Sequence, residues 1–279
     1  MAGKILVLGA TGNVGTPLVA ELLARGESVR AASRSARTIA GAEAAAFDYA
    51  DPRSIETALQ GIDRAYVMLP AGHVEIERML APVVQAAIAR GVKVVLQSAV
   101  GVDADDEIPY RRIELLLERS GGRHVILRPN WFADNFHTYW REGVRHGLIE
   151  VPAGDGATSF IDVRDVAASA ATVLTTDAFD GRAFNLTGPV ALGYAEAATV
   201  LSKVIGRDVA YRAVDADSFV ASLASHGVSR EYAQFLAGIF YPVAQGWTAA
   251  VTGDVETLTG RTPRTLETYA RDRLADLRD

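Results

Sequence analysis

Cysteine is absent from the chain, which excludes disulfides, thiolate metal ligands and a cysteine nucleophile and removes any sign of an oxidising compartment. Long apolar runs are also missing, since no stretch approaches the roughly 18 consecutive apolar residues of a membrane span. Basic runs are missing too: 28 Lys and Arg stand scattered against 34 Asp and Glu, for a net charge of −6. That balance excludes nucleic acid as an expected partner. The five histidines, His73, His124, His137, His146 and His226, show neither HxxxH nor HExxH spacing, so no metal site is expected. The opening "MAGKILVLGATG" holds one lysine and a short apolar run ending in glycines, without the longer apolar segment of an export signal. A soluble, cytoplasmic protein is the expectation.

What the chain does contain is an ordinary globular composition, 49% hydrophobic and 22% charged over 279 residues, enough for one large or two modest domains of about 100 to 200 residues each. Short β-rich runs alternate with helix-period segments, the pattern of βαβ units on a parallel sheet. "KILVL" reads as the first strand, with a helix over about 14–25 that ends at Gly26. "SVRAAS" and "AEAAAFD" read as strands two and three. "DPRSIETALQG" carries a full start and stop set, with Asp51 as N-cap, Pro52 at the first helical position and Gly61 at the end. "RAYVML", "VKVVLQS" and "HVILRP" follow as strands four to six, with helices at "HVEIERMLAPVVQAAIARG" and "YRRIELLLERSG" between them. The fold class is α/β, a doubly wound parallel-sheet Rossmann fold.

Beyond about residue 135 the pattern loosens. "VPAGDGATS" reads as a loop, "FIDVRDVAASAATVL" as a turn into a helix, and "AFNLTG" as one more strand. The expected division is a dinucleotide-binding domain over 1–150, with 157–190 returning to it, and a smaller, mostly helical substrate-binding region over 191–279.

The stretch "VLGATGNVGTPL" places Gly9, Gly12 and Gly15 between the first strand and the first helix. Glycines at such a junction let the chain turn sharply, let backbone approach a pyrophosphate and let the helix pack closely on the sheet. The helix N-terminus then offers N–H groups to negative charge. The spacing is GxxGxxG, one residue longer in its first turn than GxGxxG. At the end of strand two, where an acid would select NADH by bonding the ribose 2′-OH, the chain reads "AASRSAR". Ser33, Arg34 and Arg37 supply a hydroxyl and two guanidiniums there, and Arg pairs well with phosphate, so NADP(H) is favoured over NAD(H). Asp48 either faces the adenine or begins the turn toward Asp51. "LPAG" and "QSAVG" end strands four and five at the ligand-binding edge, which assigns Leu69, Pro70 and Ser98 to the cofactor and His73 to the substrate side.

With "GATGNVG", the arginine after strand two, "SAVG", "LRPNWFADNF", "FIDVRDVA" and "VTGDVETLTGRTPRTLETYA", the chain resembles the NmrA-like branch of the atypical short-chain dehydrogenase/reductases over nearly its whole length. The resemblance implies an NAD(P)H-dependent reductase of quinones, dyes, iminium-type or natural-product substrates. Some members of that branch bind the cofactor without turnover and act as redox-sensing regulators through partner proteins. By the same resemblance Gly9, Thr11, Gly12, Asn13, Val14, Gly15, Arg34 and Asp48 fall at cofactor positions, and Pro129, Trp131, Phe132 and Asn135 line the nicotinamide and substrate side.

The wider superfamily uses Tyr-x-x-x-Lys on the helix after strand five, and here that place reads Tyr110-Arg111-Arg112-Ile113-Glu114. Residues i and i+4 share a helical face, so Glu114 stands where the lysine should, and a nearby carboxylate raises a phenol's pKa. Tyr110 and Ser98 remain the candidate catalytic residues. Tyr110 can equally be a residue opening a helix, and Ser98 can bond a substrate oxygen or cap the strand end. Hydride transfer survives without the acid–base pair because the cofactor carries that chemistry, and an electron-poor acceptor needs little acid help.

Phe132, Phe136 and Trp140 at i, i+4 spacing suggest one helical face, serving either core packing or stacking on a flat substrate. The acids of "DADDE" at 103–107 read as a solvated loop. The leading expectation is an NADPH-dependent reductase of an aromatic or conjugated small molecule, in a monomer or homodimer. The alternatives are a noncatalytic redox sensor and a cofactor-retaining isomerase or cyclase.

Overall fold

The computed structural model describes residues 3–278. β1 (Lys4–Leu8) leads through the glycine loop into α1 (Gly15–Ala24), followed by β2 (Val29–Ser33), β3 (Glu43–Ala46), α2 (Pro52–Leu59), β4 (Ile62–Val67), α3 (Ile76–Ala89), β5 (Lys93–Gln97), α4 (Pro109–Ser120) and β6 (His124–Pro129). Next come a 3₁₀ turn at Ala133–His137, α5 (Arg141–His146), β7 (Leu148–Val151), β8 (Ala157–Thr158), α6 (Val163–Thr175) and β9 (Arg182–Leu186). The remainder holds β10 (Leu192–Gly193), α7 (Tyr194–Ile205), β11 (Ala210–Ala213), α8 (Ala216–Ser225), α9 (Arg230–Ala244), α10 (Asp254–Thr259), α11 (Leu266–Asp272) and α12 (Leu274–Arg278).

Seven strands form one parallel sheet in the order β3-β2-β1-β4-β5-β6-β9. Strands covered on both faces need apolar side chains at every position, and "ILVL" of β1 and "VVL" of β5 have no exposed surface. The order reverses between β1 and β4, the switch point at whose carboxyl edge ligands bind in open α/β sheets. The stop and start signals act as expected around α2, where Asp51 accepts from the Arg53 N–H at 3.0 Å with Pro52 in the first turn. The doubly wound Rossmann class read from the sequence is the observed one.

The chain forms two compact units. The first comprises 1–129, 163–186 and 254–261, and the second 130–162, 187–253 and 262–279. The expected division at 150 falls inside the second unit, because the chain leaves the sheet where β6 ends at Pro129. α6 and β9 return to the first unit, and so does α10, whose Asp254 carboxylate accepts from the Asn185 N–H at 2.7 Å.

The second unit pairs β8 with β10 antiparallel and β7 with β11 parallel, so "VPAGDGATS" is not wholly a loop. Its core is rich in rings, with Phe136, Phe160, Tyr194, Phe219, Phe240 and Tyr269 all buried. The helical face expected of Phe132, Phe136 and Trp140 does not form. Residues 133–137 are 3₁₀ and α5 begins only at Arg141, so i, i+4 spacing has no continuous α-helix to align it. Among the described residues no helix is long and apolar enough to cross a membrane.

Candidate functional site

The glycine loop is built by close backbone approach. Gly9 has φ +66°, and a Cβ there would meet the Met68 sulfur at 2.7 Å, while a Cβ on Gly15 would lie 2.0 Å from the Gly9 carbonyl oxygen. No larger residue fits at Gly15 without moving the loop. The Gly12 N–H donates to the Gly9 carbonyl at 2.9 Å and the Thr16 N–H to the Gly12 carbonyl at 3.0 Å. Val14 is buried beneath the loop, whereas Thr11, Gly12 and Asn13 are exposed. No side chain caps the N-terminus of α1; with the Thr16 N–H spent on Gly12 and Pro17 carrying none, the Asn13, Val14 and Gly15 N–H groups are those left for an anion. A dinucleotide pyrophosphate suits this arrangement in both charge and clearance.

At the end of β2 the chain makes a tight turn. The Ser33 carbonyl accepts from the Ala36 and Phe47 N–H groups at 3.2 and 3.1 Å, and its hydroxyl accepts from the Arg37 N–H at 3.1 Å. Ala36 sits at φ +47°, a left-handed conformation uncommon outside glycine. Arg34 and Arg37 are exposed, and among the described residues no carboxylate engages either of them. Arg37 and Thr38 line a hollow of about 390 Å³ together with Thr11 and Thr16, which brings the glycine loop and the arginine turn to one place. Asp48 is exposed, and its carboxylate accepts from the Ala50 N–H at 2.9 Å, building the turn toward α2.

Leu69 is buried and Pro70 half-buried after β4, and His73 is exposed in the loop beyond. At the end of β5 Ser98 is 5% exposed, and its hydroxyl is buried without a hydrogen-bond partner. An orphaned buried hydroxyl is costly; those of Ser169 and Tyr194 share this state, but of the three only Ser98 stands at the carboxyl end of a sheet strand. Next to it, the Tyr66 hydroxyl donates to the Gln97 amide oxygen, a pairing that sequence reading missed. The Tyr49 hydroxyl donates to the Met68 carbonyl. Burial pushes both phenols up, with the Tyr110 phenol adding to the effect, so Tyr49 and Tyr66 stand at this edge as neutral donors with Tyr110 nearby.

Tyr110 lies half-buried in the first turn of α4. Four residues on, Glu114 is fully buried and engaged by Arg128 of β6 in two bonds of 2.9 and 2.7 Å, with Arg111 adding a third at 3.0 Å. The expectation that Glu114 acts on Tyr110 as an unneutralised carboxylate is therefore corrected, because its charge is spent on two guanidiniums. The signal that could have shown this is Arg128 itself, a charge in an otherwise apolar strand that must find a partner. Three of the four "DADDE" acids are likewise tethered. Asp103 binds Arg128 at 2.5 Å, Asp106 binds Arg111 at 3.2 Å and Glu107 binds Arg112.

Pro129 ends β6, and its carbonyl accepts from the Val100 N–H at 3.2 Å. In the second unit Trp131 is half-buried against Phe240 at 4.6 Å and Trp140 at 6.0 Å. Phe132 bridges to Ile161, and the Asn135 carbonyl accepts from the Trp140 N–H at 2.8 Å. Phe136 has no exposed surface and packs on Trp140 and Phe160 at 5.0 and 5.1 Å. It belongs to the ring core and not to a wall open to substrate, a correction that follows from the 3₁₀ turn. Asn130, unmarked in the sequence reading, fills its amide with bonds to Ser159, Thr248, Thr158 and the Trp131 N–H.

Comparison with known proteins accords with this geometry. The chain is 30% identical to an uncharacterised oxidoreductase, YesF, of Bacillus subtilis, covering 95% of this chain and 93% of that one. It is 30% identical to an NAD(P)H azoreductase of Xenophilus azovorans, covering 96% of each. The crystal structure of the Escherichia coli NADPH-dependent quinone oxidoreductase QOR2 complexed with NADPH superposes with a TM-score of 0.83 at 25% identity, over 97% of this chain and 99% of that one. The class so defined is that of the dinucleotide-binding Rossmann oxidoreductases. Within it, the chain belongs to the NmrA-like family, which it matches over residues 1–269.

Proposed function

We propose that this protein is an NADPH-dependent reductase of flat, electron-deficient small molecules such as quinones, azo compounds, iminium ions or conjugated dyes. The observation that carries the reading is the clearance at Gly15, where only a hydrogen fits against the Gly9 carbonyl, beside an uncapped helix N-terminus. Gly9, Gly12, Asn13 and Gly15 would hold the pyrophosphate. The free guanidiniums of Arg34 and Arg37 favour a 2′-phosphate and hence NADPH. When bound, the nicotinamide supplies the hydride.

The chain's own residues bind, orient and exclude water. The Ser98 hydroxyl offers a donor at the β5 edge. No ammonium stands four residues after Tyr110, and both neighbouring arginines are occupied by carboxylates. No lysine ammonium activates Tyr110, and the proton comes from solvent. Acceptors whose reduced form needs no strong acid are thereby favoured, and the azoreductase and quinone oxidoreductase relatives support that class.

The test is cofactor oxidation by the purified protein across quinones, azo compounds, iminium salts and cationic dyes, with NADPH and NADH in parallel. Turnover of one class with NADPH preference is expected, and Tyr110→Phe should keep activity within a few-fold. A loss of about 10²-fold or more, the scale of acid–base catalysis, would restore tyrosine as the proton donor. Tight NADPH binding with no oxidation by any acceptor would overturn the reductase reading in favour of a sensor or a cofactor-retaining isomerase.

A further inference from the structure

Tyr66 has no exposed surface, and it spends its single hydroxyl proton on the Gln97 amide oxygen. Burial keeps that phenol protonated, so it acts as a permanent donor and holds the amide in one orientation. With the oxygen engaged, the two N–H donors of Gln97 are directed away from Tyr66, and among the described residues they have no partner. Gln97 is the last residue of β5, next to the orphaned hydroxyl of Ser98. Successive strand residues face opposite sides of a sheet, so the end of β5 presents one unspent donor group on each side of the carboxyl edge. β5 lies two strands from β1 and its glycine loop, beyond β4. A dinucleotide with its pyrophosphate on that loop and its adenosine toward β2 extends its other half over β4 and β5.

From this we propose that Gln97 is a cofactor-binding residue that donates its amide N–H to an oxygen of the nicotinamide riboside half, and that Tyr66 is the positioning residue that fixes the amide for that bond. The inference rests on the reading of the chain as a dinucleotide-dependent reductase. It adds a contact that neither the glycine motif nor the arginine turn supplies. Losing one such hydrogen bond is worth about 3- to 10-fold in affinity.

The test titrates the purified full chain with NADPH and with 2′,5′-ADP, which carries only the adenosine half. Gln97→Met removes the donor while keeping length and volume, and it should weaken NADPH about 3- to 10-fold while leaving 2′,5′-ADP unchanged; it also strips the buried Tyr66 hydroxyl of its acceptor, so the melting temperature should fall and recover when Tyr66→Phe is added. Tyr66→Phe should weaken NADPH by less in the native background, and not at all in the Gln97→Met background, because its role passes through the amide. A purely structural role for Tyr66 would show the same loss in both backgrounds. Equal weakening of both ligands, unchanged NADPH affinity in Gln97→Met, or a rise only in the acceptor KM would each overturn the proposal. If the native chain binds neither NADPH nor 2′,5′-ADP, the reductase reading itself fails, and the two failures are distinguished.

Discussion

At the carboxyl edge of the seven-stranded sheet the Ser98 hydroxyl is buried without a partner, the Gln97 amide nitrogen is unspent and α1 begins without a side-chain cap. In the second unit the buried amide of Asn130 has four partners, and Phe136, which the sequence leaves open to core packing or substrate stacking, lies sealed among rings. Buried polar atoms are normally satisfied. The second unit also has such an open atom, the buried Tyr194 hydroxyl; what sets the β5 edge apart is that the open Ser98 hydroxyl and the unspent Gln97 amide nitrogen are neighbours along the chain. Residue type alone does not separate candidate binding residues from packing residues, since both units offer hydroxyls, amides and aromatics.

The largest expected effect tests the binding side. Gly15→Ala puts a methyl 2.0 Å from a carbonyl oxygen, and because overpacking against backbone costs about 1–3 kcal/mol or more, NADPH binding should fall about 100-fold in a fluorescence titration. Near-native affinity would mean the loop is looser than its contacts indicate. On the packing side, Phe136→Ala should cost about 3–5 kcal/mol in chemical denaturation, as expected of a fully buried ring. A loss of acceptor affinity with unchanged stability would break the comparison and return Phe136 to the substrate wall.

Arg34→Asp should weaken NADPH about 10- to 100-fold through loss of a charge-assisted contact while leaving NADH within a few-fold, read as the ratio of the two KM values. An unchanged ratio would shift the 2′-phosphate to Arg37 alone. The smallest effect concerns pH. Burial, with Arg273 adding to it, holds His137 below the usual imidazole range, and the ring bonds the Tyr269 hydroxyl. The folded chain therefore favours neutral His137. Its contribution to stability is complete above about pH 6.5, the unfolded value, and is lost as pH falls through the lowered folded value. Melting temperature should decline over that interval, and His137→Gln should flatten the decline; an identical slope in the variant would remove His137 as the cause.

Much of the first unit was legible because its signals are local. "KILVL" followed by Gly9, Gly12 and Gly15 specifies a strand, a tight turn and a helix within a dozen residues, and Asp51-Pro52 places the start of α2 by capping alone. The arginines after β2 were legible for the same reason. Glu114 was misjudged because its partner Arg128 lies on a neighbouring strand, and helical spacing carries no information about what crosses from α4 to β6. Phe136 packs in the core, one of its two sequence readings, but it shares no helical face with Phe132 and Trp140, because i, i+4 spacing presumes an α-helix and the backbone there takes a 3₁₀ turn.

By itself the sequence determined the parallel sheet and the glycine turn between its first strand and helix, because periodicity, glycine spacing and capping act over a few neighbouring residues. Only the tertiary structure decided which polar atoms are spent and which stay open. Whether Glu114 meets Arg128, Gln97 meets Tyr66, or the Ser98 hydroxyl meets nothing depends on residues brought together from separate strands and helices, where desolvation and pairing are settled by packing.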